Sequence, residues 1–208
     1  MLKTIRYAAY GLIVILSAGW GVLWLTGGDV SKLSLDSLGV SSPGGVTVGG
    51  PFALTDTTGA AVTDATYRGR WMLVYFGYTY CPDVCPTELQ TISAALDRLG
   101  PAGKAIVPIL ITIDPERDTP AALAEYVKLF DERLVGLSGS KEQVAAAAKS
   151  YRVYYAKTTP KDASSYLMDH SSFIYLIGPD GRFRALFRHG VGTQELADAL
   201  KTRLLAGS

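Results

Sequence analysis

Sulfur and imidazole ligands are scarce in this sequence: two cysteines, Cys81 and Cys85, and two histidines, His170 and His189, in 208 residues. Two thiolates alone leave a copper or zinc ion short of ligands, so a metal site here has to recruit a third group. Net charge is equally short. Twenty Lys and Arg stand against 19 Asp and Glu, a balance of +1, which removes any bulk electrostatic reason to bind nucleic acid. There is no internal repeat. No Arg- and Ser-rich transit peptide opens the chain, which points away from a mitochondrial and toward a bacterial inner membrane.

Charge is missing altogether from Tyr7 to Leu25, YAAYGLIVILSAGWGVLWL. At about 1.5 Å per residue such a run just spans a hydrocarbon core of about 30 Å. Lys3 and Arg6 precede it and Asp29 is the first charge after it, so residues 1–6 are expected in the cytoplasm and everything beyond Leu25 outside, in the periplasm. Trp20 and Trp24 suit the outer interface. Ser17-Ala18-Gly19 would suit signal cleavage, but the apolar run continues through Trp24-Leu25, beyond a typical signal core. One transmembrane anchor over 7–25 is therefore expected, and the cysteines would face an oxidising compartment.

Beyond the anchor lies a Gly- and Ser-rich linker over 26–50, containing Pro43, and then a domain over 51–208 with 48% apolar residues in the whole chain to build its core. Phe52-Ala53-Leu54 and Ala61-Val62 flank the turn signal Thr58-Gly59, which predicts an N-terminal hairpin. WMLVYF (71–76) and IVPILITI (106–113) read as buried central strands. Leu89, Ile92, Leu96 and Leu99 form a helical stripe stopped by Gly100-Pro101. Thr119-Pro120 opens a second helix, and Ser140 to Gln143 is a capping box for a third. Leu134–Leu137 is a short strand. Phe173–Ile177 and Phe183–Phe187 flank the Gly178-Pro179-Asp180-Gly181 turn, and a last helix runs from Thr193 to about Leu204. The order is that of an α/β, thioredoxin-like fold with an extra N-terminal hairpin; the polar piece Lys157–Ser165 reads as a surface insertion.

Both cysteines lie between the first long strand and the first helix. Pro86 suits the first helical position, which makes Cys85 the expected N-cap and aims both sulfurs outward from a helix N-terminus that favours thiolate. A structural disulfide, a redox dithiol and a metal chelate all remain open at this point. The disulfide would close a very short loop with little entropic gain. Thioredoxin-type catalysts have two residues between their cysteines rather than three. They also place a proline opposite them, and none lies between Tyr166 and Phe173. The wider turn leaves room for an ion. His170 precedes the strand expected to face the cysteines, and a cysteine and histidine set suits copper or zinc.

FGYTYCPDVCPTEL, ITIDPERDTP, LVGLSGS, YRVYY and MDHSSFIYLIGPDG together resemble the SCO/SenC family, membrane-anchored, copper-binding assembly factors of cytochrome c oxidase. The resemblance runs from about Pro51 to the C-terminus. It implies Cys81, Cys85 and His170 as ligands of Cu(I) or Cu(II), and a copper chaperone that helps build the dinuclear copper centre of an oxidase subunit rather than a turnover enzyme. The implied partners are that copper-receiving subunit and a periplasmic copper donor. It equally implies an alternative, a thiol–disulfide reductase that keeps the oxidase cysteines reduced. Many members have histidine immediately before the first cysteine; here it is Tyr80. His189 matches no family ligand and reads as surface. Asp169 is a candidate to orient His170 or a solvated turn residue. Asp83 reads as turn-forming, Met168 as packing rather than a soft ligand, and Asp114, Glu116, Arg117 and Asp118 as a docking rim or, more simply, a solvated loop.

Overall fold

Two unbroken apolar runs make the centre of the sheet. β3 (Trp71–Gly77) and β4 (Ile106–Thr112) pair in parallel from Trp71↔Ile106 to Gly77↔Thr112, and every residue of both is buried. A strand covered on both faces has no polar side to alternate with, hence the continuous runs. The computed structural model describes residues 48–159 and 165–206. Outward from this centre, β5 (Val135–Ser138) lies parallel to β4, and β1 (Ala53–Asp56) and β2 (Ala61–Thr63) add the expected hairpin antiparallel to β5. On the other flank β8 (Phe173–Ile177) runs antiparallel to β3, followed by β9 (Phe183–Arg188). The seven-stranded order is β2-β1-β5-β4-β3-β8-β9.

Helices cover this sheet. α1 (Val84–Arg98) buries Leu89, Ile92 and Leu96 on one stripe, and the left-handed Gly100 (φ +55°) follows its end, as a glycine without Cβ strain can. α2 (Pro120–Val127) is capped by Thr119 Oγ1, which accepts from Ala122 N–H, with Pro120 first. α3 (Lys141–Ser150) carries the reciprocal Ser140–Gln143 box. α4 (Thr193–Ala206) packs on α1, α2 on β5 and α3 on β1.

One element escaped the sequence reading. β6 (Tyr155–Thr158) and β7 (Leu167–His170) form a separate antiparallel pair with Tyr155 opposite His170. The expected insertion Lys157–Ser165 thus begins inside β6, while 160–164 lie outside the described residues. So do the expected anchor at 7–25 and the linker up to residue 47. Among the described residues no helix is long and apolar enough to cross a membrane.

Candidate metal centre

β3 delivers the chain to one end of the sheet, where a six-residue turn leads into α1. Cys81 N–H donates to the Tyr78 carbonyl (3.3 Å), closing the turn. α1 begins at Val84 with Asp83 as N-cap, so Cys85 is the second helical residue and Pro86 the third, not the N-cap and first residue expected. Proline fits anywhere in the first turn because those N–H groups have no helical acceptor. The register has a chemical result: the free Cys85 N–H points at Cys81 Sγ (3.4 Å), so the helix end itself stabilises charge on that sulfur. Nor do both sulfurs aim outward. Cys81 is half-buried, Cys85 completely buried, and Tyr75 Oη lies 3.7 Å from Cys85 Sγ.

His170 ends β7 rather than lying in a free loop, and its Nε2 stands 3.7 Å from Cys85 Sγ, across 85 residues of sequence. Its Nδ1 faces the Ser171 carbonyl at 3.2 Å, not Asp169, which is exposed. A carbonyl only accepts, which assigns the proton to Nδ1 and leaves the Nε2 lone pair toward the sulfur. Tyr75 and Tyr78 hold the ring edgewise, with centroids 6.3 and 6.1 Å away. Cys81, Pro82, Tyr78, Leu167 and His170 line a surface cleft of about 320 Å³.

The two thiols share their protons unequally. The Cys85 S–H donates to Cys81 and, with two backbone N–H groups adding to it against burial, holds the Cys81 thiol down to about 3. The same bond, and then burial, push Cys85 far above the ordinary thiol range. One thiolate beside one thiol and one imidazole lone pair is a soft donor set. An ion about 2.3 Å from sulfur and about 2.0 Å from nitrogen, with about 120° between the bonds, separates those atoms by about 3.7 Å. That is the Cys85–His170 spacing. Among the described residues no group of three His, Cys, Asp or Glu side chains already stands in a metal-holding arrangement; Cys81 Sγ is engaged with the Cys85 N–H.

The surroundings correct two readings. Asp114 and Asp118 are neither rim nor solvated loop: both are buried. Asp118 accepts from Thr79 N–H (3.0 Å), Thr79 Oγ1 and Thr112 Oγ1 (2.6 Å each). Asp114 is paired with Arg117 and accepts from Tyr166 Oη at 2.8 Å. Arg117 lies over the Tyr166 and Tyr80 rings, 3.7 and 4.6 Å from their centroids, while Tyr80 itself stays exposed beside Cys81. His189 is half-exposed as a surface residue would be, yet its Nδ1 meets Glu88 Oε1 at 2.6 Å, which also accepts from Gly190 N–H. Glu88 is buried, and sequence reasoning passed it over; its spacing four before Ile92 places it on the buried stripe of α1. Met168 is buried as a packing residue, its N–H donating to Tyr78 Oη, and Asp83 is exposed.

Three parallel strands flanked by an antiparallel hairpin, with a cysteine pair between the first of them and its helix and a histidine facing that pair, define a thioredoxin-like thiol–imidazole protein. More particularly, the chain belongs to the SCO1/SenC family, whose model matches residues 40–205. It is 44% identical over 159 residues to the human "Protein SCO1 homolog, mitochondrial", covering 76% of this chain and 53% of that one. The chain thus spans about half the length of that curated relative. Among solved structures it resembles Arabidopsis thaliana ScoI with copper bound (42% identity, TM-score 0.73, covering 76% of this chain and 99% of that one). It also resembles Bradyrhizobium japonicum ScoI with copper bound (47%, TM-score 0.68, 74% and 98%).

Proposed function

We propose that this chain is a membrane-anchored copper chaperone. It holds Cu(I) or Cu(II) through Cys81, Cys85 and His170 and helps assemble the dinuclear copper centre of cytochrome c oxidase. The observation that carries the reading is the 3.7 Å approach of His170 Nε2 to Cys85 Sγ beside a second, acidic thiol. The relatives with copper bound add to it. Copper is cargo here. Cys81, at the cleft, offers the ready thiolate; Cys85 gives up its proton to water as copper binds, and His170 arrives with its lone pair already free. Cys81 joins the set by giving up its contact with the Cys85 N–H. The charge-free run 7–25 serves as anchor in a bacterial inner membrane with the domain in the periplasm. There a copper donor loads it and the copper-receiving oxidase subunit unloads it.

The acidity of Cys81 beside Cys85 favours a second reading, a thiol–disulfide reductase for the oxidase cysteines. In that exchange Cys81 and Cys85 lose two electrons and two protons to form their disulfide while the partner's disulfide becomes two thiols. His170→Ala separates the two. The chaperone reading predicts that His170→Ala loses copper retention on gel filtration; the reductase reading predicts reduction of a model disulfide without bound metal, undiminished in His170→Ala. Undiminished tight copper binding by His170→Ala would sink the three-ligand set.

A further inference from the structure

The two halves of the site do not share a sheet. The cysteines hang from β3 of the main sheet, while His170 ends β7, which among the described residues pairs with β6 alone. Pairing with β6 alone does not hold the imidazole 3.7 Å from Cys85 Sγ: Ser171 and Ser172 tether β7 to β8 of the main sheet, Tyr78 Oη accepts from Met168 N–H, and a further set of contacts adds to these. The segment between β4 and α2, Asp114-Pro115-Glu116-Arg117-Asp118, reaches both halves. Toward the cysteines, fully buried Asp118 grips Thr79, two residues before Cys81, by backbone N–H and hydroxyl together. Its own carbonyl accepts from Ser138 Oγ (2.7 Å), and its other anchor is Thr112 of β4, so the carboxylate is fixed to the main sheet. Toward the histidine, Arg117 Nη1 donates to the Tyr166 carbonyl (3.0 Å), the Tyr166 hydroxyl donates to Asp114, and the guanidinium stacks on the Tyr166 ring. Tyr166 immediately precedes β7. Glu116 adds an ion pair to Lys157 of β6.

We propose that this segment is a latch whose side chains set the spacing between the cysteine turn and the histidine hairpin: Asp118 positions Cys81 through Thr79, and Arg117 with Asp114 positions His170 through Tyr166. As a statement about copper it rests on the proposed function; as a statement about the hairpin it does not. Asp118, Asp114 and Arg117 touch no reacting atom and are positioning residues. A wobble at Tyr166 is carried along four residues of β7 to the imidazole, so the histidine is lost as a ligand before the cysteines are.

The test uses the full chain and two variants, Arg117→Ala and the milder Tyr166→Phe, which removes only the hydroxyl bonded to Asp114. Without copper, amide hydrogen exchange at Leu167–His170 rises about tenfold or more in Arg117→Ala and less in Tyr166→Phe, while exchange in β3 and β4 is unchanged. With Cu(I) as the probe, Arg117→Ala weakens binding about tenfold or more in the wild-type background. In a His170→Ala background the same substitution changes it by no more than about twofold, because the group it positions is gone. Exchange at 167–170 unchanged in both variants overturns the latch whatever copper does. Equal weakening in both backgrounds overturns it too, since that is general destabilisation. If wild-type chain binds no copper, the copper reading falls and exchange alone decides the latch.

Discussion

Gly77, the last residue of β3, carries a constraint that ties packing to the metal centre. A Cβ placed there would lie 2.9 Å from Tyr75 Cε1, 3.0 Å from Cys85 Sγ and 3.3 Å from Leu110 Cδ1. All three neighbours are completely buried, so none can swing into water. Gly77→Ala must therefore push the Tyr75 ring or the Cys85 sulfur aside by several tenths of an ångström. Overpacking of a filled core costs about 1–3 kcal/mol, and at about 2–4 °C per kcal/mol for a domain of this size the melting temperature falls by about 2–12 °C. The displaced sulfur is the one held 3.7 Å from His170 Nε2, so copper affinity should fall along with stability. Circular dichroism against temperature reads the first effect, and titration with Cu(I) in competition with a chelator reads the second. An alanine variant as stable as wild type to within about 0.5 kcal/mol, with unchanged copper affinity, would refute the packing argument.

Two further perturbations probe the same end of the molecule. Cys81, held down to about 3 chiefly by the Cys85 S–H, should be alkylated by iodoacetamide at a rate nearly independent of pH from about 5 to 8, where an ordinary thiol of pKa about 8.5 gains about tenfold per unit. Cys85→Ala removes that donor and restores the slope; a wild-type rate already rising tenfold per unit would contradict the assignment. The linkage has a definite sign: the lowered Cys81 value stabilises the fold above the unfolded thiol value of about 8.5, and that contribution is lost as pH falls through about 3. Glu88→Ala strips the buried acceptor from His189 and Gly190 and should cost about 1.5–3 kcal/mol in urea denaturation. A cost below about 0.5 kcal/mol would mean that the bond contributes nothing net.

The parts of this molecule that were legible in the sequence are those whose signal is local. WMLVYF and IVPILITI are too long and too apolar to be anything but central strands, and Thr119-Pro120 and Ser140–Gln143 announce their helices because capping needs only four residues. The start of α1 was misplaced by two residues because proline is tolerated throughout a first turn, and only the observed register brings the Cys85 N–H to Cys81. The β6–β7 pair was hidden because its strands are short, partly exposed and separated by a polar stretch, so their pairing is non-local information. The acidic run Asp114–Asp118 looked solvated because charge normally is. The burial of Asp114 and Asp118 depends on Thr79 and Tyr166, which lie far away in sequence, as well as on nearby Thr112. Cys81, Cys85 and His170 could be named from the motif resemblance, but the role of Ser171 in fixing the imidazole tautomer is visible only in three dimensions.

Copper-edge X-ray absorption on the full chain loaded with one equivalent of Cu(I) addresses the three-ligand site most directly. Binding through Cys81, Cys85 and His170 predicts two sulfur scatterers at about 2.3 Å and one imidazole nitrogen at about 2.0 Å, with the nitrogen shell lost in His170→Ala and one sulfur lost in either cysteine variant. A shell without sulfur, or a nitrogen signal that survives His170→Ala unchanged, would contradict it.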